Sequence, residues 1–433
     1  LDGKYYLKGD LEGKTGIESS YEKQLRGKKG IKMVLVDVFN RTQGSFNNGK
    51  HDTLAIPGKN ITTTLDISLQ EYSEKLMQNK IGSIVVIEPS SGEILTLVSS
   101  PNYNPKKMTG RERSKNYLSL YNNVNKPLLN RALNGTYPPA SPLKIINSLI
   151  ALEEGSLNQY NHIACNGGFS YGNNKIMRCH EHQNLVNLKS AIYTSCNTYF
   201  CNLWESFYSK YNSVYEGYDV WKEHVESFGV GHYLNNDFNS GQEGYIPEAS
   251  YWDKYYKKGR WKSSTILSMS IGQGELLCTP IQMANLTATI ANRGFYYIPH
   301  IIKEIENDTI PARFTKKQYT SILPKHFETV IEGMEQVLEN IDGTAFNSRI
   351  KGISICGKTG TAENPHGDDH SIFIAFAPKE NPKIAIAVYV ENASWGAEWA
   401  APISTLIIEK YLNNTISRPI LEKQIINGNL IDN

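Results

Sequence analysis

Apolar residues along this chain switch between two spacings, and each switch predicts a different kind of element. Residues 84–88 and 93–98 are near-continuous apolar runs rich in β-branched side chains, parted by Pro89-Ser90-Ser91-Gly92. Two such runs around a cluster of turn residues predict a hairpin. A second pair, 371–377 and 384–390, is parted by Pro378-Lys379-Glu380-Asn381-Pro382 and followed by a helix over 401–413. Between the pairs, Ile145, Ile146, Leu149, Ile150 and Leu152 recur at roughly helical spacing behind Pro142, a residue that fits the first turn of a helix. A strand over 61–65 and a helix over 69–79 precede the first hairpin. Strands early, helices in the middle, strands late and a final helix imply a mixed α/β domain. Its antiparallel sheet draws its halves from distant sequence and carries a helical insertion.

Residues 1–58 break this pattern. They are polar, mixed in charge, and their main apolar run is Met33-Val34-Leu35-Val36-Asp37-Val38, so short strands and a helix without a sizeable core are expected. Pro57-Gly58-Lys59-Asn60 is a turn signal that places a boundary at 58, leaving 59–414 as the main domain and 415–433 as a C-terminal tail. A net charge of +2 is too mild to argue for nucleic acid. No run of about 18 apolar residues exists to span a membrane. With neither an initiator Met nor a signal peptide, Leu1 is not expected to be the native start.

Candidate chemistry lies in three motifs in fixed order: Ser141-Pro142-Leu143-Lys144, Ser195-Cys196-Asn197 and Lys358-Thr359-Gly360-Thr361. Alone, each fits a solvated helix start or strand end better than a site; the ordered set outlines serine acyl transfer. Ser141 at a helix start has backbone N–H groups nearby, and Lys144, about one turn on, lies within reach as its base. That lysine must be neutral, which burial and a second cation, Lys358, would favour. Ser195 can relay a proton to the leaving group, and Asn197 can hold Lys144 and a substrate amide, while Cys196 points behind them. Lys358, Thr359 and Thr361 form a candidate carboxylate receptor, Gly360 lets a ligand approach the backbone, and the Thr361 N–H is a candidate second oxyanion donor beside that of Ser141.

A rival pattern overlaps the third motif, because Gly352-Ile353-Ser354-Ile355-Cys356-Gly357-Lys358-Thr359 also matches a phosphate-binding P-loop. A P-loop needs a helix straight after Lys-Thr. The residues from Gly360 through Asn364, Pro365 and Gly367 to Asp369 are poor helix material, and an apolar strand over 353–356 is expected where the loop should be.

The ordered set resembles the signature of penicillin-binding proteins and class A β-lactamases. Neighbouring segments, among them Leu129-Asn130-Arg131-Ala132, Ile271-Gly272-Gln273-Gly274 and Thr279-Pro280-Ile281-Gln282-Met283-Ala284, resemble a class B penicillin-binding protein. Asp369-His370 ahead of Phe373-Ile374-Ala375-Phe376-Ala377-Pro378 resembles the elongation-type member, and Thr15-Gly16-Ile17-Glu18 with Leu25-Arg26-Gly27 resembles its pedestal. The chain departs from the family at Ala140 and Pro142, where Gly and Thr are usual, and its stretch from Thr361 to His370 is short, so a mobile loop is read as missing.

The resemblance implies a penicillin-binding transpeptidase domain: an antiparallel sheet flanked by helices, a helical subdomain, and a small N-terminal α+β pedestal. It implies a serine-type D,D-transpeptidase on the periplasmic face of the inner membrane, with its anchor outside this chain, that cross-links peptidoglycan stem peptides during elongation. Ser141 would attack between the two terminal D-alanines, Lys144 would take its proton, Ser195 would pass it on, and an acceptor amine would resolve the acyl-enzyme. β-Lactams would acylate the same serine. A rod-complex scaffold protein and a membrane glycan polymerase are the implied partners; a scaffold in which catalysis is secondary is the alternative. No cofactor is implied for catalysis.

Cys165, Cys179, His182 and Cys196 have the residue types of a structural zinc site, with His180 as a substitute ligand. Some members of the resembled family hold zinc through a Cys in the place of Cys196. A Cys165–Cys179 disulfide and buried free thiols account for the same residues.

Overall fold

Gly82–Ile87 and Ile94–Ser100 pair as an antiparallel hairpin in the computed structural model, which describes residues 5–7, 9–172 and 175–431. Every residue of the first strand is buried, as is every residue of Ile384–Val390 and nearly every one of His370–Ala377. Their apolar runs lack polar alternation because both faces of the sheet are covered. With Cys356–Ala362 these strands form one five-stranded sheet in the order 356–362, 370–377, 384–390, 82–87, 94–100, each neighbouring pair antiparallel. Early and late segments thus meet in one sheet, as their spacing predicts.

The helices Pro280–Ala291 and Phe327–Glu339 pack on this sheet, as do Ile67–Leu76 and Ala400–Asn413, which also pack on each other. Phe327, Val330, Ile331, Met334, Val337 and Leu338 form the buried stripe of their helix at three- and four-residue spacing. The middle insertion is built on Leu143–Glu153, Asn197–Tyr208 and Val214–Ser227. Buried Trp221 ties two of these helices by donating its indole N–H to Asn147 Oδ1 at 2.9 Å.

The strand expected over 353–356 begins instead at Cys356 and runs through the third motif to Ala362. Lys358 is wholly buried in it, so a residue that reads as polar on hydropathy belongs to the interior. The phosphate-loop pattern fails for the same reason. Lys358 and Thr359 are mid-strand, and the next helix begins at Ala400, so no helix N-terminus meets them.

A second compact unit comprises Leu1–Thr64, Asp237–Ser240 and Ile301–Pro311. Residues 1–4 and 8 of the segment expected over 1–58, and 432–433 of the expected tail, lie outside the described residues. Two short helices, Gly16–Ser20 and Glu22–Leu25, precede an exposed hairpin of Val34–Val36 with Thr42–Ser45. The turn at 57–60 leads into Ile61–Thr63, which pairs with Ile302–Ile305 of the same unit. Among the described residues up to 60, only Tyr21 is buried. Its hydroxyl donates to Asp237 at 2.9 Å, and the Asp237 carboxylate accepts the N–H of Ile301 and Ile302 at 3.0 Å.

The segment expected as a tail contains a helix, Pro419–Asn427. Among the described residues, no helix is long and apolar enough to cross a membrane.

Candidate active site

Ser141 stands between Ala140 and Pro142, just ahead of the helix Leu143–Glu153. Ala140 has φ 54, in the left-handed region where a side chain costs about 1–2 kcal/mol. The departure from Gly therefore carries strain, held in place as the Ala140 N–H donates to Gly272 O at 2.8 Å. This turn leaves Ser141 half-buried while Lys144 is fully buried.

Ser195, also left-handed at φ 58, lies in the break between the helices Leu188–Tyr193 and Asn197–Tyr208. Lys144 Nζ donates to Asn197 Oδ1 at 2.6 Å, Ser195 O at 2.8 Å and Ser195 Oγ at 3.2 Å. Ser195 Oγ donates to Ser141 Oγ at 3.1 Å. Asn197 therefore holds Lys144, but its Nδ2 is taken by Arg178 O at 2.7 Å instead of being offered to a substrate amide.

Lys358 Nζ donates to the same Ser195 Oγ at 2.8 Å and to Thr359 O at 3.1 Å. The Thr359 and Thr344 hydroxyls meet at 2.8 Å, and Thr361 O accepts from Gln273 Nε2 at 2.9 Å. The bareness of Gly360 accommodates protein: a Cβ there would come within 2.8 Å of Pro142 Cδ and 3.3 Å of Ala140 Cβ. The strand is at the sheet edge, so its outer backbone groups face no further strand and suit an extended peptide.

Ser141, Ser195, Asn197, Thr359, Gly360 and Thr361 line one cleft of about 1190 Å³, with Lys144 and Lys358 buried beneath it. His180 and Trp395 also line it, their rings 4.9 Å apart. Trp395, Thr344 and Arg178 carry no sequence signal of a role here, because tertiary folding alone brings them to the motifs. Gln273 had one: it lies in the Ile271-Gly272-Gln273-Gly274 segment of the family resemblance.

Burial draws Lys144 down to about 8, against the opposing pull of the thiols of Cys196, Cys179 and Cys201. Burial also pushes Lys358 well below the usual lysine range, and the neighbouring Lys144 charge adds to this. Burial is the larger cause at both lysines, and the repulsion between their charges adds to it.

Behind Ser195 and Asn197, the ligand atoms of Cys165, Cys179, His182 and Cys196 all lie within 4.8 Å of one another. Cys196 caps the helix Asn197–Tyr208, its Sγ accepting the Tyr199 N–H at 3.3 Å, while the Thr198 N–H donates to Cys179 Sγ at 3.1 Å. Hydrogen bonding from the Cys196 thiol draws Cys179 well below the usual thiol range, and Cys196 is correspondingly raised. His182 Nδ1 is 2.7 Å from Gln183 O, whereas its buried Nε2 has no partner and is available as a ligand. The donor set fits a tetrahedral metal. The three cysteines are free thiols, so the expected alternative of a Cys165–Cys179 disulfide is not formed. His180, expected as a substitute ligand, stands outside this group against Trp395.

An edge strand, a serine at a helix start and two lysines meeting on a second serine have the makings of a serine acyl-transfer site. Residues 82–409 match the penicillin binding protein transpeptidase domain, and the chain belongs to that family. Residues 1–63 match the penicillin-binding protein dimerisation domain.

Peptidoglycan D,D-transpeptidase MrdA of Acinetobacter baumannii is 31% identical over 100% of this chain and 65% of its own length, so the chain spans about two thirds of that relative. The crystal structure of Pseudomonas aeruginosa PBP2 in complex with WCK 5153 superposes with a TM-score of 0.78 at 32% identity, over 92% of this chain and 84% of that one. Helicobacter pylori PBP2 in complex with MreC gives a TM-score of 0.77 at 28% identity, over 92% and 72%.

Proposed function

We propose that the chain is the catalytic portion of a serine-type peptidoglycan D,D-transpeptidase that acts in cell elongation and is a target of β-lactams. The observation that carries this reading is the relay from Lys144 through Ser195 Oγ to Ser141 Oγ, beside an open strand edge. The donor stem peptide lies along that edge, and Lys358, Thr359 and Thr361 receive its terminal carboxylate. Neutral Lys144 draws the Ser195 proton as Ser195 takes that of Ser141, and Ser141 Oγ attacks the penultimate D-alanine carbonyl. The backbone N–H groups of Ser141 and Thr361 hold the oxyanion. Collapse breaks the amide, the leaving D-alanine nitrogen takes the proton back through Ser195, and an acceptor amine resolves the ester.

Fluorescent penicillin tests this reading: wild-type protein should be labelled and Ser141→Ala should not. Labelling that survives the substitution would remove Ser141 from its role. Incubation with stem peptides then separates cross-linked dimer from hydrolysed monomer.

Two further parts belong to the proposal. Cys165, Cys179, His182 and Cys196 hold a structural zinc, which would brace the Ser195–Asn197 turn from behind and take no part in the chemistry. The protein is anchored at the inner membrane with this portion in the periplasm, beside a scaffold protein and a glycan polymerase. The PBP2–MreC complex of the Helicobacter pylori relative supports a scaffold partner, as do the exposed Val38, Phe39 and Leu54 of the N-terminal unit.

A further inference from the structure

Lys80 is fully buried, yet no carboxylate pairs with it among the described residues. Its three ammonium donors go to carbonyls: Ile425 O at 2.6 Å, Gln78 O at 3.0 Å and Gly428 O at 3.1 Å. Two of these belong to the C-terminal end of the helix Pro419–Asn427, where the helix dipole favours a cation. The same segment is tied at its start to buried Glu409, which accepts from the Ser417 N–H at 2.8 Å and from Arg418 Nε at 3.0 Å. Beyond the helix, the Leu430 N–H donates to Asn79 O at 2.9 Å. A buried cation whose compensating dipoles come from residues 425–428 makes the docking of that segment hard to undo.

The joint reaches the active-site cleft through Trp399. Lys80 Nζ lies 5.3 Å from the centre of the Trp399 ring. Gly428 lies so close to that indole that a Cβ there would collide with it. Trp399 caps the helix Ala400–Asn413, and hydrogen bonds from Ala401 N to Gly396 O and from Glu398 N to Trp395 O, each 3.0 Å, bind residues 395–401 into one turn. The far end of that turn is the cleft wall. Trp395 meets His180 there, Gly396 lies against the backbone of Gly360, and the Gly396 N–H donates to Thr361 Oγ1 at 3.4 Å.

We infer that residues 417–430 act as a clasp, and that Lys80 and Trp399 are positioning residues that set the cleft wall at Trp395 and Gly396 for acylation of Ser141. The inference rests on the proposed acyl transfer. The clasp touches no reacting atom. It fixes where the wall stands relative to the edge strand, and a small displacement of such a wall costs rate in the bound complex.

The test separates rate from amount. Fluorescent penicillin is titrated against wild type, Lys80→Met and Gly428→Ala, and both the labelling amplitude and the acylation rate constant of the labelled fraction are measured. Gly428 has φ −64, which any residue adopts, so Gly428→Ala perturbs chiefly its contact with Trp399 and decides the matter if Lys80→Met fails to fold. The expected result is a rate constant lowered about tenfold in both variants with amplitude largely kept. Wild-type rate constants with reduced amplitude alone would make the clasp merely structural and overturn the inference. Absence of labelling in wild type would instead overturn the proposed function.

Discussion

Ser195 Oγ donates to Ser141 Oγ at 3.1 Å while it accepts from Lys144 and Lys358, so the proton of Ser195 is directed at the nucleophile by two lysine donors. The resting arrangement is the reverse of the one that attacks. Activation requires one lysine to lose its proton, after which Ser195 can turn and accept from Ser141. Ser195→Ala should therefore leave penicillin able to bind but lower its acylation rate by about 10²–10⁴. Stopped-flow acylation at saturating penicillin checks this, and a loss below fivefold would exclude the relay.

The pH profile follows from the burial of Lys144, which holds it near 8. Acylation should rise with pH as Lys144 deprotonates and level off above about 8, and Lys144→Arg, which cannot deprotonate, should be inactive at every pH. The stability sign follows from the same shift. The folded pKa of about 8 lies below the ordinary 10.5, so protonation costs the folded state most below pH 8. Between these values the unfolded state binds more protons, and the contribution of Lys144 to stability should rise with pH. Chemical denaturation across this window in wild type and Lys144→Met isolates that slope, and identical slopes would refute it.

Gly360→Ala should disable the nucleophile without touching a catalytic group. Its added Cβ would stand 2.8 Å from Pro142 Cδ and 3.2 Å from Ile372 Cβ, closer than packed carbons lie. Pro142 is the neighbour of Ser141, so relief of the clash moves Ser141 relative to Ser195. A rate loss of about 10²-fold is expected, with the overpacking costing about 1–3 kcal/mol of stability. Thermal melting and acylation together check it; an unchanged rate would show that the turn yields elsewhere.

The strands at 82–87, 371–377 and 384–390 could be read in the sequence because a sheet covered on both faces needs unbroken apolar runs. The strand at 356–362 was misplaced for the converse reason. It buries Lys358 and two glycines, and its interior character comes from the partners it meets, not from its own hydropathy. The candidate set was visible through order and spacing, since Lys144 lies in the first turn of the helix that Ser141 precedes and Ser195 and Asn197 flank a helix start. Trp395 and Thr344 were invisible because each reaches the cleft from a loop whose position depends on the finished fold. For the same reason no local pattern joins Asp237–Ser240 and Ile301–Pro311 to the N-terminal unit.

The cysteine cluster bears on catalysis through one residue. Cys196 lies between Ser195 and Asn197, and both neighbours hold Lys144, so whatever fixes the Cys196 sulfur also fixes the base. If zinc is held there, protein purified without added metal should carry close to one zinc per chain by elemental analysis, and Cys196→Ser should lose it. His182→Asn is the sharper variant. It leaves the Ser195–Asn197 turn untouched and removes only the unpartnered Nε2 that is free to bind a metal. Loss of one of four ligands should then weaken metal retention, lower the melting temperature and slow acylation together, and excess zinc should restore the last two in His182→Asn. A wild-type stoichiometry near zero, with His182→Asn melting and acylating as wild type, would reduce the cluster to buried thiols beside a helix start.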